Sequence, residues 1–110
     1  MKNINIIKNN YEFQTIIGKR NCLKTNQFFI YRTPSDDHFH YGISVGKKLG
    51  NAVARNKIKR QVRAMVREIL PDVKNIKQKI VIIVRNTYFN FDYRDNLILL
   101  KQKLIALDGK

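Results

Sequence analysis

Apolar residues recur along this chain in two rhythms, one suited to helix and one to extended backbone, and the changes between them mark out its elements. Behind Asn51, which follows Gly50 as an N-cap, Ile58, Val62, Met65, Val66 and Ile69 return at helical spacing. The spacing predicts a helix of about four turns with one apolar face docked on a core. Leu70-Pro71-Asp72 is expected to stop it, because proline has no N–H to give the ladder. Behind Asp92, a second helical stripe of Tyr93, Leu97, Leu100, Leu104 and Leu107 predicts another core-facing helix. A shorter one is predicted from Tyr11 to Ile17, with Phe13, Ile16 and Ile17 on one face, Asn10 as cap and Gly18 closing it in a left-handed conformation.

Two stretches rich in aromatic and β-branched residues, Gln27 to Arg32 and Phe39 to Val45, flank the turn-forming Thr33-Pro34-Ser35-Asp36-Asp37 and predict an antiparallel hairpin. From Lys79 to Arg85 there is no alternation, the pattern of a strand buried on both faces in the middle of a sheet. Helices must then cover both sides. Residues 1–9 read as an extended arm carrying Lys2 and Lys8, with Ile4, Ile6 and Ile7 available to lie on the core. The resulting order of helix, strand, strand, helix, strand, helix predicts a small α/β (α+β) two-layer sandwich, with room in 110 residues for one domain.

Composition changes the picture mainly through charge. Hydrophobic residues make up 44% and charged ones 27%, a globular balance, while 22 Lys and Arg against 8 Asp and Glu leave a net charge of +14. The excess concentrates between Lys47 and Arg67, which holds eight cations and no acid. Such a surface suits a polyanion. Helical steps of about 100° place Asn56, Lys59, Arg60, Arg63 and Arg67 opposite the apolar stripe and Lys57 to one side. Arg55 falls at the edge of the apolar face, from which its stem can snorkel outward. Lys47 and Lys48 lie just ahead of the helix N-terminus, itself attractive to phosphate. A merely solvated face is the alternative, but such faces usually interleave signs to gain i,i+4 pairs.

The remaining candidates for chemistry are few. A stand-alone nuclease needs converging carboxylates or an acid/base pair, whereas here Asp36 and Asp37 lie in a turn and Glu12, Glu68 and Asp72 fall near helix ends. No catalytic residue is expected. His38 and His40 would share a strand face and in principle a metal, but no Cys or third His is near them, and an exposed strand end is the simpler home. Phe29 and Tyr31 alternate with Phe28 and Ile30, so one pair meets the core and the other faces away. If the first helix covers that second face only in part, an aromatic groove suited to single-stranded RNA results; the other reading places all of them in the core. Cys22, alone, makes no internal disulfide and fits a reducing compartment. No apolar run approaches the roughly 18 to 20 residues of a membrane span, and no secretory signal is apparent, so a cytoplasmic location is expected.

The strand ending Gly42-Ile43-Ser44-Val45, the pair Lys47-Lys48 and the core Arg55-Asn56-Lys57 within a longer basic helix resemble the protein subunit of bacterial ribonuclease P. The likeness is ungapped from Gly42 to Arg60, and element order agrees over nearly the whole chain. Gly46 stands where the family shows Ser, and Thr25-Asn26-Gln27 where it often shows Asn-Arg-Gln. The resemblance implies a central mixed sheet with a left-handed strand-helix-strand crossover, against the usual preference. It also implies a single RNA-binding domain over residues 1–110 that assists a catalytic RNA subunit in removing the 5′ leader from precursor tRNA. In that family Mg²⁺ is held mainly by the RNA and substrate. Lys47, Lys48, Arg55, Asn56, Lys57, Lys59, Arg60, Arg63 and Arg67 would bind the RNA subunit. Phe13, Ile17, Phe29 and Tyr31 would line the leader cleft. No protein partner is implied, and the alternative class is a general RNA-binding module such as a ribosomal protein.

A charge of +14 on so small a chain repels itself, so anions should assist folding at low ionic strength. Circular dichroism with and without sulfate checks this: helical signal and thermal midpoint should both rise on adding the anion.

Overall fold

The strand Gln78–Val84 lies inside the sheet, with Ile80, Val81 and Ile82 all fully buried. The computed structural model describes residues 6, 7 and 9–109. Its elements are α1 (Asn10–Gly18), β1 (Cys22–Lys24), β2 (Phe28–Pro34), β3 (His40–Val45), α2 (Ala52–Val73), β4 (Gln78–Val84) and α3 (Tyr93–Ile105). Single 3-10 turns occupy Lys47–Leu49, Asn86–Asn90 and Ala106–Gly109. The sheet has the order β1-β2-β4-β3 and is mixed: β4 pairs antiparallel with β2 (Ile30 opposite Ile82) and parallel with β3 (Ile43 opposite Ile82).

Because side chains alternate across a strand, β4 serves two layers at once. Ile80, Ile82 and Val84 join the main core with Ile58, Val62, Met65, Val66 and Ile69 of α2 and Leu100 and Leu104 of α3. Val81 points the other way and meets Ile7 and Ile16, under α1. Helices therefore cover both faces, as the unbroken apolar run requires, but α1 spans only nine residues and covers its face thinly. The N-terminal arm meets the core at Ile7, whose N–H donates to the Tyr41 carbonyl at 2.8 Å; Lys2, Ile4 and Lys8 lie outside the described residues.

Several expectations are corrected. β2 and β3 do not form a hairpin: β4 lies between them, since only a strand apolar on both faces is at home in the interior of the sheet. The connector between them is tied instead to the segment leading into β4, Ser35 N–H donating to the Lys77 carbonyl at 3.0 Å. The tight hairpin joins β1 to β2, its turn closed by Thr25, whose N–H donates to the Phe28 carbonyl at 2.9 Å. At three residues, β1 is too short to show a period.

At α1 the cap is Asn9 rather than Asn10, its side chain accepting from the Tyr11 N–H, and the left-handed residue is Arg20 (φ 59°) rather than Gly18. The long helix α2 runs through Pro71 to Val73. Proline costs it the bond to the Arg67 carbonyl, but Val73 is fully buried, and the Lys74 N–H donates to Leu70 at 2.8 Å, so packing carries the last turn. In α3, Asp92 caps through the Asp95 N–H as expected, yet Tyr93 is exposed and Asn96 occupies a buried position.

Gly42 of β3 lies beneath the Phe13 ring, so a Cβ there would collide with its Cζ. Gly42→Ala should therefore lift α1 from the sheet and cost about 1–3 kcal/mol. Denaturant titration checks the loss, which should diminish when Phe13→Leu is combined with it.

Candidate nucleic-acid interface

Asn51 caps α2 by accepting from the Ala54 N–H at 2.9 Å, and Gly50 supplies the positive φ (138°) that turns the chain into the helix. This junction puts Lys47 and Lys48 beside the helix N-terminus, both exposed. Along the helix Asn56, Lys57, Arg60 and Arg67 are exposed, while Lys59 and Arg63 are half-buried. Arg55 is half-buried too, and its Nε has no hydrogen-bond partner, in keeping with a place at the edge of the apolar face. Asn56, Lys59, Arg60 and Arg63 line a shallow groove of about 400 Å³. Among the described residues no ion pair involves any of these cations. The acids pair elsewhere: Glu12 with Lys79 at 2.8 Å, Asp72 with Lys101 at 3.7 Å, and Asp37 with two histidines.

The opposite layer holds the aromatic surface. Phe28 and Ile30 are fully buried in the main core, so alternation turns Phe29 and Tyr31 toward the α1 layer. Tyr31 lies half-buried with Phe13, Ile17 and Ile83 around Val81, while Phe29, also half-buried, falls outside that cluster and lies under Arg85. Glu12 and Lys79 pin the first turn of α1 over one end of this trough, a contact that raises the Lys79 pKa through the hydrogen bond. At the other end the trough opens into a cleft of about 550 Å³ lined by Phe29, Lys48, Arg85 and Asn86. Lys48 thus belongs to both surfaces. The Arg85 guanidinium lies 4.4 Å from the Phe29 ring centroid and its Nη1 donates to the Thr25 carbonyl at 2.9 Å. Sequence reasoning did not single out Arg85; the available signal was a cation closing an apolar strand that ends beside an aromatic one.

His38 and His40 do come together, stacked with centroids 4.1 Å apart, and Asp37 joins them. Its carboxylate accepts from His40 Nε2 at 2.8 Å and lies 3.2 Å from His38 Nδ1. The His40 hydrogen bond, followed by those from the His38 N–H and Ser35, holds Asp37 well below the usual carboxylate range. Among the described residues this is the one group of three potential metal donors, within 4.8 Å of one another. Two imidazoles and one carboxylate do not fit Mg²⁺, which demands oxygen donors. Cys22 is half-buried, and burial pushes its thiol pKa up, away from reactivity.

A mixed sheet carrying an uncompensated basic helix on one layer and an aromatic trough on the other defines a small α+β protein of the RNA-associated class. The family model described as Ribonuclease P matches residues 1–106. The chain is 48% identical over 97 residues to the ribonuclease P protein component of Mesoplasma florum, covering 87% of this chain and 88% of that one. It is 44% identical over 94 residues to that of Mycoplasma mycoides, covering 84% and 86%. Among solved structures it is similar to the ribonuclease P protein of Staphylococcus aureus, with 33% identity, a TM-score of 0.80 and coverage of 96% and 95%. The Thermotoga maritima protein follows at 26%, 0.76, and coverage of 86% and 90%. The chain belongs to the ribonuclease P protein family, as a protein component of the bacterial endoribonuclease. Membership of a ribonucleoprotein implies an RNA partner. No helix among the described residues is long and apolar enough to cross a membrane.

Tyr88 fixes the Asn86–Asn90 turn against α2, its hydroxyl donating to Gln61 Oε1 at 2.8 Å. Burial, with a smaller contribution from Tyr93, pushes its pKa up to about 12. A phenol raised in the folded state contributes stability below the ordinary tyrosine range of about 10, and loses it as pH rises toward the folded value. Phenolate absorbance should therefore show a late component that Tyr88→Phe diminishes.

Proposed function

We propose that Lys47, Lys48, Arg55, Asn56, Lys57, Lys59, Arg60, Arg63 and Arg67 bind the catalytic RNA subunit of ribonuclease P, while Phe13, Ile17, Phe29 and Tyr31 hold the 5′ leader of precursor tRNA. The observation that carries the reading is the cleft where the two surfaces meet, with Lys48 from the start of the basic helix and Phe29 from the trough in one wall. A single strand leaving an RNA docked on α2 can enter the trough without crossing an acidic barrier. Aromatic faces there stack bases without regard to sequence, and Arg85 over Phe29 adds a cation for the backbone. A general RNA-binding module needs only the charge and leaves the trough without a purpose.

In this reading hydrolysis belongs to the RNA subunit in the cytoplasm. Among the described residues the one cluster of three potential metal donors is rich in imidazole and does not suit Mg²⁺, and the ion is assigned to RNA and substrate, in keeping with the family. The protein's cations lower phosphate repulsion where the two RNAs meet, which favours retention of the ions those RNAs bind.

Purified chain alone should leave precursor tRNA uncut and should accelerate cutting by the RNA subunit at low Mg²⁺. Cleavage that persists in clean protein without RNA overturns the proposal. Arg60→Ala should reduce the slope of log affinity for the RNA subunit against log salt by roughly 0.7–0.9 for one lost phosphate contact. Tyr31→Ala should weaken precursor binding without altering that slope.

A further inference from the structure

Beside the basic helix, and sharing no lining residue with the trough, lies a cavity of about 380 Å³ between Lys57 and Gln61 of α2 and the aromatic segment after β4. We propose that it is a pocket for one unstacked RNA nucleobase bearing an exocyclic amine. The proposal rests on the reading of α2 as an RNA-binding helix and extends the contact to bases.

Three features converge there. The first is aromatic surface: Phe89, Phe91 and Tyr93 line the cavity and remain 58%, 40% and 40% exposed, while Tyr88 between them and the core is buried. Exposed rings gathered around a concavity provide stacking faces for a base. The second is an orphaned acceptor. Asn96, in the cavity wall, is 1% exposed, and its Nδ2 faces the carbonyls of Tyr88 at 3.3 Å and Phe91 at 3.5 Å. That fixes which end of the amide is which, and the remaining Oδ1 has no hydrogen-bond partner. A buried acceptor left unpaired is costly, and a base that enters between the exposed rings and uncovers it can supply the missing donor from an amine edge of adenine, cytosine or guanine. The third is charge. Lys57 at the rim is exposed and, among the described residues, forms no ion pair, so an occupant bringing its own phosphate is matched where an apolar peptide would strand the cation. Lys57 also adjoins Asn56 of the basic groove, so one strand lying along α2 reaches both.

The chain has no tryptophan, so Phe89→Trp places a single fluorophore at the mouth of the pocket. It should be quenched on titration with an adenylate hexamer, less by a uridylate hexamer, and little by an abasic hexamer that keeps the phosphates. In the same background Phe91→Ala should weaken adenylate binding about tenfold and leave abasic binding unchanged. Both positions are exposed, so folding should survive; circular dichroism checks it, and the three-probe comparison in Phe89→Trp stands without the second variant. Equal quenching by the three oligomers, or equal loss for adenylate and abasic probes in Phe91→Ala, overturns the pocket. Stimulation of the RNA subunit by the unaltered chain is measured in parallel. If it persists while base-dependent quenching is missing, only the pocket falls; if it is absent and none of the three oligomers binds, the RNA-binding role of α2 falls with it.

Discussion

The burial of β4 on both faces is the constraint from which the rest follows. A strand whose residues are apolar on both sides must be flanked by strands and roofed on each layer, so β2 and β3 are driven apart and helices are recruited above and below. The two roofs differ greatly. On one side α2 and α3 seal a core that includes most of the buried side chains; on the other, nine residues of α1 rest on Val81 and Gly42 and leave Phe29, Tyr31 and Ile83 only half covered. The trough is what remains when a two-faced strand is covered by a short helix.

The charge distribution is organised as sharply as the packing. Acids are present in the chain, but those with partners are used to pin α1 to the sheet, to order the turn before β3 and to tie α2 to α3 near its end. Among the described residues none pairs with the cations along the first turns of α2. Self-repulsion there is a standing cost to the folded chain, and a polyanion is what removes it. Buried groups left without partners occur on the same flank: Arg55 Nε within the helix and Asn96 Oδ1 in the wall of the neighbouring cavity. Among the described residues, both departures from polar satisfaction thus lie on or beside α2, where RNA is expected.

Much of this was legible beforehand. The α2 stripe, the Asp92 cap and the unbroken run of β4 are local patterns with one physical reading each, and the alternation of Phe28 to Tyr31 already divided those four side chains between two faces. What misled were signals whose meaning depends on distant partners. A turn-rich connector looks the same whether its strands pair or are separated by a third, Pro71 stops a helix unless buried Val73 holds the next turn, and Gly18 invites a left-handed closure that the chain instead delays to Arg20.

By itself, then, the sequence determined that the chain would bury a two-faced strand, present an uncompensated basic helix and match a ribonucleoprotein subunit, because periodicity, charge and motif are properties of neighbouring residues. Tertiary structure decided which strand separates which, that Lys48 and Phe29 meet in one cleft, that Arg85 caps the Phe29 ring, and that Asn96 is enclosed among aromatic side chains. Those facts depend on contacts between residues far apart in the chain, and only the packing of the whole sheet brings them together.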